Sequence, residues 1–261
     1  MTEFDQRVGK GTTLFLSETF RCPQSLYDMA TEFVMANPAQ IPKAVHSHNP
    51  LEGRSVRVVP HAKGDLETAL LQELQRLSAH AHAQGAAYTI LLLGRYRYDC
   101  PDMLRDWHAW FSSQLEIRFS TVHQAKGLEA DYVFLVNVHQ GTSGFPAQKE
   151  DDTLITLVMP EADPYPHAEE RRLFYVALTR AKRRVLLFAE ESRVSRFISE
   201  LEDYGLPPLK TTDGQPLRRC SKCGDGVMVQ RQSNKGGFWG CSRFPACRHT
   251  QPVSPPASAR F

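Results

Sequence analysis

The first 204 residues alternate short apolar runs with longer amphipathic stretches, and this alternation constrains the fold more than any other feature. The apolar runs predict strands, and the intervening stretches have the spacing of helices that bury one face. Strands that are apolar almost throughout are typical of parallel sheets covered on both faces. The sequence therefore predicts a doubly wound α/β domain, with sites in the loops at the carboxyl ends of the strands.

The element boundaries follow from the same pattern. The predicted strands are Leu14–Leu16, Val56–Pro60, Tyr88–Leu93, Leu115–Ser120, Tyr132–Val138 and Arg184–Phe188. The predicted helices are Pro23–Ala36, Asp65–Gln84, Asp102–Ser113, Glu169–Ala181 and Val194–Tyr204. Gly141–His167 has several prolines and acids and is predicted to be irregular.

The end of the chain has a different composition. Residues 205–217 are rich in Pro, Gly and Thr and predict a linker. Residues 218–252 are too few for a core of their own and require a cross-link, such as a disulfide or a structural metal. Residues 253–261 are predicted to be disordered.

Charge is unevenly distributed, although the net charge is only +2. Residues 1–209 contain 22 Lys and Arg against 27 Asp and Glu, whereas residues 210–261 contain 9 against 2. A basic tail on an acidic body suggests a polyanionic partner, but a solvated linker with scattered arginines would give the same count. The sequence has no apolar run long enough for a membrane span and no secretion signal, so we expect a cytoplasmic protein without a membrane partner.

Four of the six cysteines lie in the basic tail as Cys220-x2-Cys223, 17 residues, and Cys241-x5-Cys247. Two close pairs at this separation predict a tetrahedral zinc site, and four thiolates leave no open position, so the zinc would be structural. Two disulfides are the alternative, which the lack of a secretion signal disfavours. His249 is a possible substitute ligand.

The residues around the second cysteine pair have a specific pattern, from Phe238-Trp239-Gly240-Cys241-Ser242 to Phe244-Pro245-x-Cys247. The pattern resembles the C-terminal zinc ribbons of type IA topoisomerases, and the resemblance implies binding of single-stranded DNA. Phe238, Trp239 and Phe244 would stack on bases. The candidate phosphate contacts are Arg231, Lys235, Arg243 and Arg248. The alternative is that the aromatic side chains fill a small core.

Three segments of the body carry candidate functional residues. In Leu16–Leu26, Arg21 lies at a strand–helix corner, where it either faces a phosphate or pairs with an acid such as Glu18. In Thr121–Val133, Gly127 would allow close approach to a ligand and Glu129 would accept hydrogen bonds from a sugar. In Glu169–Lys182, Arg180 ends a helix, where it either points across a cleft or complements the helix dipole.

In this order, the three segments resemble motifs IV, V and VI of the UvrD-like superfamily 1 helicases. HQAKGLEADYV is close to motif V, and EERRLFYVALTRAK is close to motif VI. The segments TFRCPQSLYDMATEFVMANPAQIPK, LLLGRYR and GTSGFPA favour the helicase IV branch. Thr19 and Cys22 depart from the usual motif IV, and neither change affects Arg21.

The resemblance implies a RecA-like second motor domain, of the P-loop NTPase type, that moves 3′ to 5′ on DNA. Arg21 and Arg180 would be arginine fingers on the γ-phosphate of ATP, Glu129 would hold the ribose, and Gly127 would lie near the phosphates. The implied single-stranded DNA contacts are Thr121, His123 and Arg95.

The sequence contains no phosphate loop of the form Gly-x4-Gly-Lys-Ser/Thr and no acid pair for magnesium, and Gly9-Lys10-Gly11-Thr12 only imitates the loop. We therefore expect ATP and magnesium to be shared with a first motor domain that this chain lacks, with the chain being a fragment, a subunit partnered by a separate chain, or a remnant. Alone, it should bind single-stranded DNA and hydrolyse ATP hardly at all. The alternative is a non-catalytic zinc-ribbon DNA-binding protein; a topoisomerase accessory region is a weaker one.

Overall fold

The computed structural model describes Gly9 and residues 16–147, 163–234 and 236–253. Lys235 and residues 10–12 of the imitation phosphate loop lie outside the described residues. So do parts of the predicted strand Leu14–Leu16, of the irregular segment Gly141–His167 and of the predicted disordered tail at 253–261.

The body is built on a five-stranded sheet in which all neighbouring strands are parallel. Two short strands precede it and pair with each other, β1 (Glu18–Thr19) and β2 (His46–Ser47). The sheet strands are β3 (Val56–His61), β4 (Tyr88–Gly94), β5 (Leu115–Thr121), β6 (Ala130–Leu135) and β7 (Ala181–Glu190), in the spatial order β3-β7-β6-β4-β5. Pro60 is tolerated in β3 because this strand is at the edge of the sheet.

Helices cover both faces of this sheet. They are α1 (Gln24–Met35), α2 (Leu66–Ala83), α3 (Leu104–Phe111), α4 (Ala168–Leu178) and α5 (Arg196–Asp203). On one face, Phe33, Phe174 and Phe197 of α1, α4 and α5 pack together, with the Phe33 ring centroid 4.9 Å from that of Phe197. On the other face, Leu74 of α2 and Trp107 of α3 are buried against the sheet. The predicted α/β fold with a parallel sheet is confirmed.

The proline-rich segment at 205–217, which composition predicts to be a linker, packs on the body. Leu206 and Leu209 are buried in the core beneath α5, and Leu217 packs against that core. Prolines and glycines indicate irregular backbone but do not reveal whether the leucines between them are buried.

A three-stranded antiparallel ribbon follows, with β8 (Met228–Ser233), β9 (Gly236–Cys241) and β10 (Thr250–Pro252) in the order β10-β9-β8. Val227, at the start of the ribbon, is buried in the core of the body. None of the helices in the described part of the chain is both long enough and apolar enough to cross a membrane.

Candidate functional sites

Arg21, Glu129 and Lys182 form a charged cluster at one edge of the parallel sheet. The Glu129 carboxylate accepts a hydrogen bond from Arg21 Nε at 3.0 Å and lies 2.7 Å from Lys182 Nζ. Hydrogen bonds from Lys182 and then Arg21 lower the pKa of Glu129. Arg21 therefore pairs with an acid, but the acid is Glu129 of the second segment and not Glu18, which contacts His48.

Arg180 lies beside this cluster. Its Nε donates to the Val176 carbonyl at 3.0 Å, as expected of a cation at the end of α4. Burial lowers the pKa of Arg180, and the positive charge of Arg21 lowers it further, so the two guanidinium groups act on each other in one site. No carboxylate among the described residues forms an ion pair with Arg180, whose positive charge is therefore available to an anion.

Asn49 joins the segments that carry the two arginines. Its Nδ2 donates to the backbone carbonyls of Arg21 and Lys182, both at 2.7 Å. The Ser47 hydroxyl donates to the Cys22 carbonyl at 2.6 Å and fixes the same corner. Asn49 is a positioning residue that the sequence did not reveal, because its role depends on contacts between distant segments.

The cluster lies at the amino ends of the strands, whereas the sequence predicted sites at their carboxyl ends. Glu129 immediately precedes β6 and Arg180 immediately precedes β7, so both lie at the amino ends of parallel strands. The expectation that sites gather at the carboxyl ends is wrong for these residues, because the second segment crosses from the end of β5 to the start of β6. Gly127 lies in this crossing with φ of +87°, and a Cβ added there would meet nothing within 4 Å. Glycine is required here because of the left-handed backbone conformation, since no neighbouring atom of the chain would collide with a Cβ.

The carboxyl edge of the sheet carries a second group of predicted residues. Arg95 follows β4, and its guanidinium contacts the Glu170 carboxylate at 2.7 Å and His123 Nδ1 at 3.2 Å. Burial opposes the charge of Arg95, but the hydrogen bonds and charge of Glu170 outweigh it and raise the pKa of Arg95. Arg95 stays charged, but the Glu170 carboxylate balances its charge, which makes it a weaker phosphate contact than the sequence suggested.

His123 and Thr121, which are predicted to contact DNA, differ in accessibility. His123 is exposed, whereas Thr121 is buried. The Thr121 hydroxyl lies 3.4 Å from the Gln124 backbone N–H and helps to shape the turn after β5. This placement gives Thr121 a structural role and leaves His123 as the accessible member of the pair.

The four tail cysteines converge as their spacing predicts. All four sulfur atoms lie within 4.8 Å of one another, with Cys220 Sγ 3.8 Å from Cys247 Sγ and Cys223 Sγ 3.7 Å from Cys241 Sγ. A tetrahedron with zinc–sulfur distances of about 2.3 Å has edges of about 3.8 Å. Disulfides would require sulfur separations of about 2.0 Å. The donor set therefore fits a structural zinc ion, and the disulfide alternative does not fit this geometry.

One face of the ribbon presents aromatic and basic side chains together. Phe244 is 60% exposed, and the Arg231 guanidinium lies 5.9 Å from the centre of its ring. Phe244, Arg231, Phe238 and Arg248 help to line a recess of about 220 Å³. Trp239 is half-buried, with the Arg218 guanidinium 4.8 Å from its ring centre. Of the three aromatic residues, Phe244 is the one with a largely open face.

Arg243 is placed differently from the expectation that it binds DNA. Its Nη1 lies 2.5 Å from the Asp225 carboxylate, which is also 3.9 Å from Arg196 of the body. The Asp225 carbonyl accepts a hydrogen bond from Gln140 Nε2 at 2.7 Å. Arg243 therefore forms an ion pair within the ribbon and orients Asp225, which is the residue that contacts the body.

Comparisons with known proteins agree with both parts of this architecture. Residues 105–192 match the UvrD-like helicase C-terminal domain, and residues 217–256 match the topoisomerase DNA binding C4 zinc finger.

Two curated relatives are from Escherichia coli (strain K12). The chain is 33% identical to DNA helicase IV over 206 residues, which is 79% of this chain and 29% of that protein. It is 37% identical to DNA helicase II over 151 residues, covering 45% of this chain and 19% of that protein. The chain thus spans less than a third of the length of these relatives.

A solved structure of the C-terminal domain of a possible DNA helicase from Lactobacillus plantarum is 18% identical, with a TM-score of 0.37, and covers 66% of this chain and 88% of that one. From the family matches and the curated relatives, the chain contains a UvrD-like helicase C-terminal domain followed by a topoisomerase-type C4 zinc ribbon.

Proposed function

We propose that this chain is the C-terminal portion of an ATP-dependent DNA helicase that moves 3′ to 5′ along single-stranded DNA. The observation that carries the proposal is the cluster at the amino edge of the sheet, where Arg21 and Arg180 come together beside Glu129. Two guanidinium groups that repel each other electrostatically are stabilised when a polyphosphate binds between them.

In this proposal, Arg21 and Arg180 are arginine fingers that stabilise the charge developing on the γ-phosphate of ATP during phosphoryl transfer. Arg180 is suited to this task because its guanidinium is partly desolvated and has no carboxylate partner among the described residues. Glu129 would exchange its contacts with Arg21 and Lys182 for hydrogen bonds from the ribose hydroxyls. Gly127 gives the loop before Glu129 its conformation near the phosphates.

The remaining half of the nucleotide site would come from a first motor domain, either in the same larger protein or on a separate chain. The sequence has no phosphate loop, and such loops supply most of the affinity for nucleotide phosphates. Magnesium would be held there by acids that this chain does not provide. We expect the isolated chain to have negligible ATPase activity. A role on genomic DNA also favours the cytoplasm as its location.

Single-stranded DNA would contact His123 at the carboxyl edge of the sheet and the aromatic face of the ribbon. The exposed ring of Phe244 and its neighbour Phe238 would stack on bases, while Arg231 and Arg248 would contact phosphates. Nucleotide and DNA thus bind at opposite ends of the strands, and the crossing segment at 121–129 connects them.

The test is Arg180→Ala in a complex rebuilt with a first motor domain. The variant should lose ATPase activity by roughly 10³-fold, because the transition state loses an arginine finger. Arg184→Ala is the matched control, since Arg184 is an exposed arginine on β7 without an ion-pair partner in the described part of the chain. Equal ATPase rates for Arg180→Ala and wild type would exclude the arginine-finger role.

A second candidate function is a zinc-ribbon DNA-binding protein without a motor role, favoured by the open face of Phe244. It predicts single-stranded DNA binding that depends on the ribbon, and no ATPase activity with any first motor domain. Stimulation of ATPase by single-stranded DNA in the rebuilt complex would exclude it.

A further inference from the structure

We propose that Tyr96 and Tyr98, in the loop after β4, form a stacking platform for a base of single-stranded DNA at the carboxyl edge of the sheet. The proposal rests on the function proposed above and adds a base contact in the motor domain itself.

The two rings already form the geometry of a stack. Their centroids are 4.9 Å apart and their planes are inclined by 12°. Tyr98 is 69% exposed despite this contact, so one face of its ring is covered by Tyr96 and the other is open to solvent. A ring that served only to fill the core would be buried, whereas an open, pre-stacked ring offers a surface of the size of a base.

The loop that carries the tyrosines is rigidly built. The buried Asp99 carboxylate accepts hydrogen bonds from the Tyr96 backbone N–H and from Asn137 Nδ2, both at 2.7 Å. Gly94 is required beneath it, because a Cβ at this position would collide with the Asp99 side chain. A fixed loop lowers the entropic cost of ordering the ring on binding, which favours a binding role.

The platform adjoins His123, the accessible candidate for DNA binding at the same edge of the sheet. The Arg95 guanidinium lies 5.2 Å from the centre of the Tyr96 ring and 3.2 Å from His123 Nδ1. Arg97, between the tyrosines, is exposed and makes no ion pair within the described residues. It can therefore neutralise a phosphate of a nucleotide whose base lies on Tyr98.

The experiment measures the binding of the full chain to a fluorescent oligothymidylate of about 15 nucleotides, and to the same strand made abasic. Tyr98→Ala should weaken binding to oligothymidylate by about 5-fold or more, and Tyr98→Phe should restore it, because the ring and not the hydroxyl makes the contact. The Tyr98→Ala effect should disappear on the abasic strand. The slope of affinity against salt concentration should not change, since no phosphate contact is removed.

Trp110→Ala is the matched control, an exposed aromatic near the end of α3 and so toward the amino end of β5. Each comparison is repeated in a Phe244→Ala background, where the ribbon contributes less to affinity. Unchanged affinity of Tyr98→Ala in both backgrounds, with wild type still binding DNA, would overturn the stacking platform alone. If wild type fails to bind single-stranded DNA, the DNA-binding part of the proposed function falls with it.

Discussion

His139 shows how a single buried side chain makes this fold sensitive to acid. It follows β6, and burial, reinforced by the charge of Arg193, lowers its pKa from 6.5 to about 4 although Glu190 acts in the opposite direction. The unfolded chain therefore binds a proton that the folded protein excludes between these two pKa values. The free energy of unfolding should fall by about 2 kcal/mol from this residue between about pH 7.5 and pH 5.

Urea unfolding of wild type and His139→Gln at the two pH values tests this expectation. The variant should lose about 2 kcal/mol less than wild type, and His82→Gln, an exposed histidine on α2, should behave like wild type. His167 retains a lowered pKa in all three proteins, so some acid sensitivity remains. Burial opposes the charged form of Glu190, but hydrogen bonds from Arg193 and Ser192 hold its pKa at about 2. The stability that Glu190 contributes to the fold is therefore lost only below about pH 4.5. If the free energy of unfolding fell by the same amount in wild type and in His139→Gln, the role of His139 in acid sensitivity would be contradicted.

Among the elements, the zinc ribbon depends most on one interaction. Its own buried cluster contains Cys220, Cys241, Cys247 and Met228, so removal of zinc leaves little to hold β8, β9 and β10 together. Cys241→Ser should release the single zinc ion and remove the protection of the ribbon amides, because structural zinc contributes roughly 10 kcal/mol to such folds.

Zinc content and amide hydrogen exchange measure this loss. Cys100→Ser changes a half-buried cysteine outside the cluster and should keep both zinc and protection. The body should remain folded in both variants, since its two cores are built around Phe33 and Leu74 on opposite faces of the sheet. A fully protected ribbon in zinc-free Cys241→Ser would show that the strands fold without the metal.

The elements also show what the sequence can and cannot predict. Strands β4, β6 and β7 could be predicted because each contains a run of apolar residues, and β5 because apolar and polar residues alternate along it. The zinc ligands could be predicted because their spacing alone specifies the site. The β1–β2 pair could not, because two residues per strand carry no periodic signal. The bridging role of Asn49 and the burial of Leu206 were missed for a related reason, since both depend on segments distant in sequence.

Charged residues were the least predictable part of the candidate sites. Arg21, Arg95 and Arg243 are all basic residues in suitable places, yet each has a carboxylate partner that only the folded chain identifies. Sequence gives the position of a charge but not its neighbours, so it overestimated the availability of Arg95 and Arg243 for phosphate. Arg180 differs from these three, because its guanidinium donates to a helix carbonyl and forms no ion pair with a carboxylate among the described residues.

At the scale of the whole molecule, the ribbon is held against the body at defined points. Asp225 contributes two of these contacts, since its carboxylate lies 3.9 Å from the Arg196 guanidinium and its backbone carbonyl accepts a hydrogen bond from Gln140 Nε2. Arg219 adds contacts with Glu202 and with the Ser199 carbonyl on α5. A ribbon held in this way should move with the body and keep its aromatic face in a fixed position relative to it.

Asp225→Ala should loosen this attachment without unfolding either part, because it removes the carboxylate that lies near Arg196 of the body while Val227 stays buried. A loss of about 1 kcal/mol would raise the detached population roughly 5-fold. Limited proteolysis and amide hydrogen exchange at 205–217 should both accelerate while zinc content stays constant. Asp213→Ala, an exposed aspartate in the same segment, is the control. Unaltered exchange in Asp225→Ala would mean that the buried leucines and Val227 hold the ribbon by themselves, and the polar contacts would then set only its orientation.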